Sequence, residues 1–509
     1  MPDTLPLDHL PARGRAEDKA LILRDGTLSY AQLEERVARL AGWLARQASA
    51  GERVASWAGK GELTCLLPLA AARAGLVHVP LNPLLKRAQV AHILADSGVA
   101  VLVANPARLS SLQDGNVPPG CRTAEETEVL TEAQSAAPLP PSSAEPNTLA
   151  ALLYTSGSTG LPKGVMLSHR NLWLGAAAVA DYLKLGADDV TLAVLPLAFD
   201  YGQNQLFSTW YAGGAVAPLD YLVPRDVVKA CAKHQVTTLA AVPPLWVQLT
   251  EVDWPEEAIR SLRRLTNSGG TLTEPLIAAM LRTFGAADIV PMYGLTEAFR
   301  STFLPPELVE SHPTSIGSAI PFAEVLIVND EGKPAAPDEE GELVHCGPLV
   351  AHGYWRDPAR TAQRFRPAPA WSRYGGTAVW SGDRVRRDGD GLLYFISRRD
   401  AMIKSAGNRI SPEEVEAAAL ASGLVAEAVA LGLPDERLGQ AVHLVVRAKA
   451  GLAESERAKL QQHLARELPN FMQPQAVHWR DELPRNPNGK IDRQRLREEL
   501  SEREADYAG

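Results

Sequence analysis

Residues 149–165 read LAALLYTSGSTGLPKGV, an apolar run followed at once by a loop of glycines, hydroxyls and one lysine. Gly157, Gly160 and Gly164 let a backbone approach a ligand closely, Thr155, Ser156, Ser158 and Thr159 offer hydroxyls, and Lys163 adds a cation. That combination suits a polyphosphate. The spacing is neither GxxxxGK[ST] nor GxGxxG, so the letters disfavour a kinase- or ATPase-type P-loop. A polar turn without a ligand is the competing reading, and the loop alone leaves both open.

Working outward, apolar positions over residues 28–45 recur at steps of three and four, which predicts an amphipathic helix after a short strand. Residues 53–57 read as a strand, 65–75 (CLLPLAAARAG) as a helix stopped at Gly75, and 77–83 (VHVPLNP) as a strand entering a Pro turn. Such alternation predicts an α/β fold with a largely parallel sheet. Residues 133–147, AQSAAPLPPSSAEPN, can propagate neither helix nor ladder and are expected to be a surface linker. Residues 315–395 hold strand-like runs (EVLIV, GELVH, LLYFI) between Gly, Pro and Asp turns and predict a compact β-rich subdomain. Beyond residue 400 the texture changes. Ser411-Pro412-Glu413-Glu414 is a helix start with Ser as cap and Pro at the first position. Two strands, VAEAVALGLP and AVHLVVRA, and a helix over 453–468 complete a small α+β unit of roughly 110 residues, large enough to fold alone.

The composition narrows the partners. Over 509 residues, 51 Lys and Arg against 60 Asp and Glu give a net charge of -9, which carries neither a nucleic-acid footprint nor a polybasic membrane surface. Hydrophobic residues at 46% and charged residues at 22% are ordinary for a globular chain. Cys65, Cys121, Cys231 and Cys346 are isolated, so no disulfide framework or zinc site is expected. The N-terminus lacks the apolar core of a signal peptide, and no run reaches the roughly 18 apolar residues of a membrane span. The expected setting is a reducing cytoplasm and the expected partner a small molecule.

The loop resembles the signature loop of the AMP-forming adenylating enzymes, the superfamily of acyl-CoA synthetases, nonribosomal-peptide adenylation domains and firefly-type luciferases. Further resemblances follow in that family's order: TLSYAQL (27–33), ARAGLVHVPLNP (72–83), NSGGTL (267–272), MYGLTE (292–297), Ser381-Gly382-Asp383, SRRDAMIKSAGNRISPEEVE (397–416) and LPRNPNGKID (483–492). One such motif is a weak signal; this many in order is a strong one. The resemblance implies an N-terminal adenylate-forming domain over 1–396, built of α/β subdomains plus the β-rich one, a hinge at 397–400, and a small mobile α+β cap over 401–509. It implies ATP with Mg²⁺, a carboxylic acid, and CoA or a phosphopantetheinyl carrier as substrates and partners.

Residue by residue, the resemblance makes Lys490 the cation bridging the acid and the α-phosphate, Glu297 the Mg²⁺ carboxylate and Thr296 an α-phosphate donor. The ATP site would take Thr155, Ser156, Gly157, Ser158, Thr159, Gly160, Lys163, Gly269, Gly270, Tyr293 beside adenine, Gly294, Asp383 at the ribose hydroxyls, and Arg398. Asp400 would be the hinge, although Ser397 stands where the family has glycine. Lys404, Ala406 and Gly407 would face the pantetheine tunnel. Each residue has a plainer reading. Lys490 precedes a charged surface helix, Glu297 could be a first-turn acid and Tyr293 a half-buried aromatic.

The acid pocket is expected at Phe199, Asp200, Gln203 and Asn204, with Trp210 and Trp246 as further candidates. Phe199 stands where many acyl- and aryl-CoA ligases have histidine. Asp200 resembles the aspartate with which amino-acid-activating domains hold an ammonium, and a helix-capping or backbone-bonding role competes with that. The leading expectation is therefore an AMP-forming carboxylate–CoA ligase. An amino-acid ligase loading a separate carrier protein, or a noncatalytic nucleotide-binding homologue, are the alternatives.

Overall fold

Ser29 accepts from the backbone N–H of Gln32, and the Gln32 side chain returns the bond to Ser29, so the helix Tyr30–Leu44 starts on a capping box. Its buried stripe of Leu33, Val37, Leu40, Ala41 and Leu44 follows the three-and-four spacing of the sequence. In the computed structural model, residues 3–155, 162–398, 402–405, 408–435 and 438–508 are described. Ser156, Gly157, Ser158, Thr159, Gly160, Asp400, Ala406 and Gly407 lie outside them, as does the side chain of Lys404.

The N-terminal part is built on two sheets. A six-stranded sheet has the order Arg122–Glu125, Val99–Ala104, Arg53–Trp57, Val77–Pro80, β1 (Leu149–Thr155) and β2 (Lys163–Ser168). Only β1 and β2 pair antiparallel, so the glycine-rich loop joins two strands of a hairpin, with Thr155 opposite Lys163 at its mouth. The second sheet has fourteen strands. One half is parallel and runs Lys19–Leu23, Ala215–Pro218, β3 (Val190–Ala193), β4 (Thr238–Ala241), β5 (Arg264–Asn267) and β6 (Asp288–Tyr293). All four residues of β4 are buried, as a strand with helices on both faces requires. Helix α1 (Asp200–Tyr211) follows β3, and α2 (Pro243–Thr250) follows β4.

The other half of this sheet is antiparallel and contains β7 (Thr377–Arg387) and β8 (Leu393–Arg398). The β-rich stretch is thus present, but joined edge-on to the parallel strands through Thr302–Phe303 and Ser315–Ala319. The Pro- and Ser-rich segment also differs from a free linker. Ser142 donates to Asp8 from both its backbone N–H (2.9 Å) and its hydroxyl (3.0 Å), and Leu139 N–H donates to Ala38 O (3.0 Å).

The C-terminal unit carries α3 (Pro412–Ala421), β9 (Val425–Asp435), β10 (Gly439–Ala448), the helix Ala458–Glu467, β11 (Ala476–Arg480) and α4 (Arg493–Ala508). β9 and β10 form a long antiparallel pair, and β11 lies parallel to β10. The sheet buries one apolar face around Val415, Val446 and Leu460 and the other around Val429, Leu496 and Leu500. Ser411 precedes α3 as expected, but its hydroxyl makes no capping bond. It lies 3.1 Å from Ile396 O and 3.0 Å from Glu413 Oε2, tying the unit to β8. Among the described residues no helix is long and apolar enough to cross a membrane.

Candidate active site

The carboxyl ends of β3, β5 and β6 lie on one edge of the parallel sheet, the edge at which open α/β sheets present ligands. Phe199 and Asp200 follow β3, Gly269 and Gly270 follow β5, and Gly294, Thr296 and Glu297 follow β6. The C-terminal unit delivers Lys490 to the same edge. A Pro-Asn-Gly turn sets it: Asn486 Oδ1 accepts from the backbone N–H groups of Asn488 (3.0 Å) and Lys490 (3.1 Å), and Gly489 adopts a φ of +80°. Asn82 of the N-terminal part holds the turn, donating to Pro487 O at 2.7 Å.

Lys490 packs so closely on Gly269 that a Cβ there would lie 2.6 Å from its Cε. Its Nζ sits 5.0 Å from the centroid of the Phe199 ring. Burial pushes the ammonium down to about 8, with Asp200 pulling upward and Arg398 and Arg300 adding to the depression. Asp200 is the first residue of α1 and only 6% exposed. Burial raises its carboxyl above the ordinary range although Arg300 and Lys490 oppose this, and it accepts from Thr296 Oγ1 at 3.3 Å and from a backbone N–H at Tyr201. The acid therefore both bonds locally and faces two cations.

A second cluster lies across the β7–β8 ladder. Asp383 and Arg398 are register partners, and Arg398 Nε stands 3.1 Å from Asp383 Oδ1. Tyr293 donates its hydroxyl to the other oxygen of Asp383. Burial and that carboxylate hold the phenol well above its usual value, so it remains a donor.

In the third cluster Lys163 Nζ donates to Tyr354 Oη (2.7 Å), which donates to Glu297 Oε1 (2.6 Å); Lys163 itself lies 3.3 Å from that oxygen. Burial pushes Glu297 up, but Lys163, the Tyr354 hydroxyl and Arg364 outweigh it and the carboxylate is held low, hence ionised. Thr155 Oγ1 is buried without a partner among the described residues where β1 enters the glycine-rich loop. Arg398 is electrostatically coupled to Glu297 and to Lys490, so the three clusters share one field.

Several expectations need amending. Trp210 donates to Ala20 O and Trp246 packs edge-on against Phe284, and both rings are fully buried in the core. Asn204 lines a small cavity with Tyr201 and Arg300, and Gln203 is buried on the same helix with its Oε1 lacking a partner among the described residues. Tyr354, Arg364 and Arg300 had no signal of their own. Tyr354 sits in HGYW (352–355), where only its distance from Glu297 in the fold reveals the link.

The AMP-binding enzyme family profile matches residues 10–355, and that of the AMP-binding enzyme C-terminal domain matches 414–490. The chain belongs to the AMP-binding enzyme family. It is similar to an L-proline–[L-prolyl-carrier protein] ligase of Streptomyces coelicolor, at 32% identity over 92% of this chain and 91% of that protein. It is also similar to a feruloyl-CoA synthase of Amycolatopsis, at 33% identity over 94% of this chain and 96% of that protein. Among solved structures, ATP-bound MatB from Rhodopseudomonas palustris superposes with a TM-score of 0.88 at 26% identity, covering 98% of this chain and 99% of that one. The fold is accordingly that of the adenylate-forming ligases, a large mixed α/β part followed by a small C-terminal unit.

Proposed function

We propose that this ligase joins a carboxylic acid to AMP and then transfers the acyl group to the thiol of CoA. The observation that carries the reading is Lys490, a buried cation of the C-terminal unit seated on Gly269 beside Asp200 and Thr296. In the first step a carboxylate oxygen attacks the α-phosphorus of ATP, the bond to the bridging oxygen breaks, and pyrophosphate leaves with that electron pair. Two anions must meet, so a fixed cation at the junction of carboxylate and α-phosphate is the main requirement. Lys490 supplies it. Asp383 takes the ribose hydroxyls as a double acceptor, with Arg398 fixing its rotamer. Lys163, Thr155 and the glycine-rich loop hold the β- and γ-phosphates.

Glu297 fits a magnesium ion that comes with ATP. It is an ionised carboxylate, and among the described residues no group of three acids, histidines or cysteines accompanies it. A lone carboxylate suits an ion that takes most of its oxygens from phosphate and water. When bound, the ion would neutralise phosphate charge.

In the second step the thiol sulfur attacks the acyl carbon, AMP leaves, and the thiol proton passes to solvent. The C-terminal unit, 401–509, would turn about 397–400 to exchange the Lys490 turn for the segment around Lys404 and Gly407. A second reading, an amino-acid ligase charging a separate carrier protein, draws support from Asp200, buried where an ammonium next to the reacting carboxylate would sit, and from the prolyl-carrier relative. ATP–pyrophosphate exchange over fatty, aromatic and amino acids tests both. Exchange supported by an acid without an ammonium, and a CoA thioester product, support the first reading. Exchange confined to amino acids and lost in Asp200→Asn supports the second. Exchange with no acid at all contradicts adenylation.

A further inference from the structure

The turn that carries Lys490 is hydrogen-bonded to the N-terminal part through one side chain. Asn82 follows the strand Val77–Pro80 of the six-stranded sheet and is 5% exposed. Its Nδ2 donates to Pro487 O (2.7 Å) and to Asn488 Oδ1 (3.2 Å), and among the described residues no other group of the N-terminal part hydrogen-bonds residues 484–490. The amide is set in advance. Its Oδ1 accepts from Leu84 N–H (2.9 Å), the backbone carbonyl of Asn82 accepts from Leu85 N–H (3.0 Å), and Pro83 between them has a fixed φ. A backbone donor on one side and a carbonyl on the other settle which end of the amide is which, so the position needs a side chain that accepts and donates at once.

Little else holds the turn. Burial disfavours the charge of Lys490, and among the described residues this lysine forms no ion pair; Asp200 acts on it through space. Gly489 lies near Val242 and the Lys490 stem lies on Gly269, contacts that carry no direction. Apart from the junction at Ser411, the other described hydrogen bond between the two parts runs from Arg447 to Glu251 (3.1 Å), at a partly exposed site where salt screens it. A buried cation without a bonded counter-ion favours withdrawal to water, so its docked position has to be held by neutral, directional bonds at the turn. Those bonds are made by Asn82.

We propose that Asn82 is a positioning residue for the first half-reaction: its amide reads the Pro487 carbonyl and so fixes the turn that lays Lys490 on Gly269, a task that a carboxylate of the same shape cannot perform. The proposal rests on the adenylation reading above and adds to it a residue of the six-stranded sheet that acts through Lys490.

The test is Asn82→Asp in the full chain. The new carboxylate still accepts from Leu84 N–H but turns an anionic oxygen toward Pro487 O, so the turn loses its anchor while the loop at Asn82 keeps its own bond. Two readouts are taken beside a melting curve. ATP–pyrophosphate exchange with the best acid of the wild type is expected to lose about tenfold or more in kcat, with the KM for ATP within about threefold. Acylation of lysines by an N-hydroxysuccinimide ester, read by peptide mass spectrometry without substrate, is expected to modify Lys490 about fivefold or more faster than in the wild type, and the exposed Lys19 at an unchanged rate. Asn82→Ala, which removes the donor without adding charge, carries the same expectations if Asn82→Asp melts early. Exchange within about twofold of wild type, a loss carried by the KM for ATP, or a Lys490 as protected as before in a folded variant would each overturn the proposal and leave adenylation standing. Exchange by the wild type with no acid would overturn the ligase reading instead, and the labelling, which needs no substrate, would still decide the anchor.

Discussion

Raising the pH from 7 to 9.5 should remove the charge of Lys490 while the fold persists. Burial lowers this lysine from the usual 10.5 to about 8, so at pH 7 roughly nine-tenths of the free enzyme carries the ammonium, and at pH 9 roughly one-tenth does. The pyrophosphate-exchange kcat/KM, which reports the free enzyme, should therefore be level below pH 8 and fall about tenfold per pH unit above it. The fall from 10.5 to about 8 corresponds to about 3 kcal/mol by which the folded protein disfavours this charge. Between pH 8 and 10.5 the unfolded chain binds the extra proton, so the penalty is complete below 8 and relieved as pH rises. Lys490→Met, which removes the penalty at pH 7, should melt no lower than the wild type and lose about 10²- to 10³-fold in exchange. Lys490→Arg, charged throughout, should lose the alkaline limb. A flat wild-type profile to pH 9.5, or a Lys490→Met variant that melts lower yet exchanges normally, would rule out this role for Lys490.

Gly269→Ala should cost at least about tenfold in exchange through Lys490 alone, because its Cβ would meet Cε at 2.6 Å and the φ of +83° adds about 1–2 kcal/mol of strain; exchange beside a melting curve checks it. Asp383→Asn should raise the KM for ATP by about 10- to 100-fold, the loss of charge-assisted bonds worth about 1.5–3 kcal/mol, with a smaller change in kcat. Glu297→Gln should raise the magnesium concentration for half-maximal exchange about tenfold, measured by titration at fixed ATP, since it removes the carboxylate that Lys163 and Tyr354 hold ready.

What the sequence conveyed and what it did not divides along physical lines. The helix at Tyr30 and the strands at Arg53 and Val77 are written in local spacing and capping and stand where the letters put them, and the turn before Lys490 is held by its own Asn486. The docking of that turn on Asn82 spans 405 residues, and only the resemblance foretold that Lys490 leaves the surface. The pinning of Ser142 by Asp8, the joining of the β-rich stretch to the parallel sheet and the Lys163–Tyr354–Glu297 chain are long-range pairings, invisible to periodicity. Ser411 had the right residue type for a cap, but its hydroxyl is directed at Ile396 O and Glu413 instead. Trp210 and Trp246 were named for a pocket and are buried in the core, a distinction their residue type does not make because indoles suit both.

In the proposed mechanism the C-terminal unit contributes the cation of the first half-reaction. The most direct measurement is pyrophosphate exchange by Lys490→Ala with the best acid of the wild type, run beside calorimetry for ATP. Exchange should fall about 10²- to 10³-fold, with ATP affinity within a few-fold of wild type. Exchange within a few-fold of wild type would contradict it.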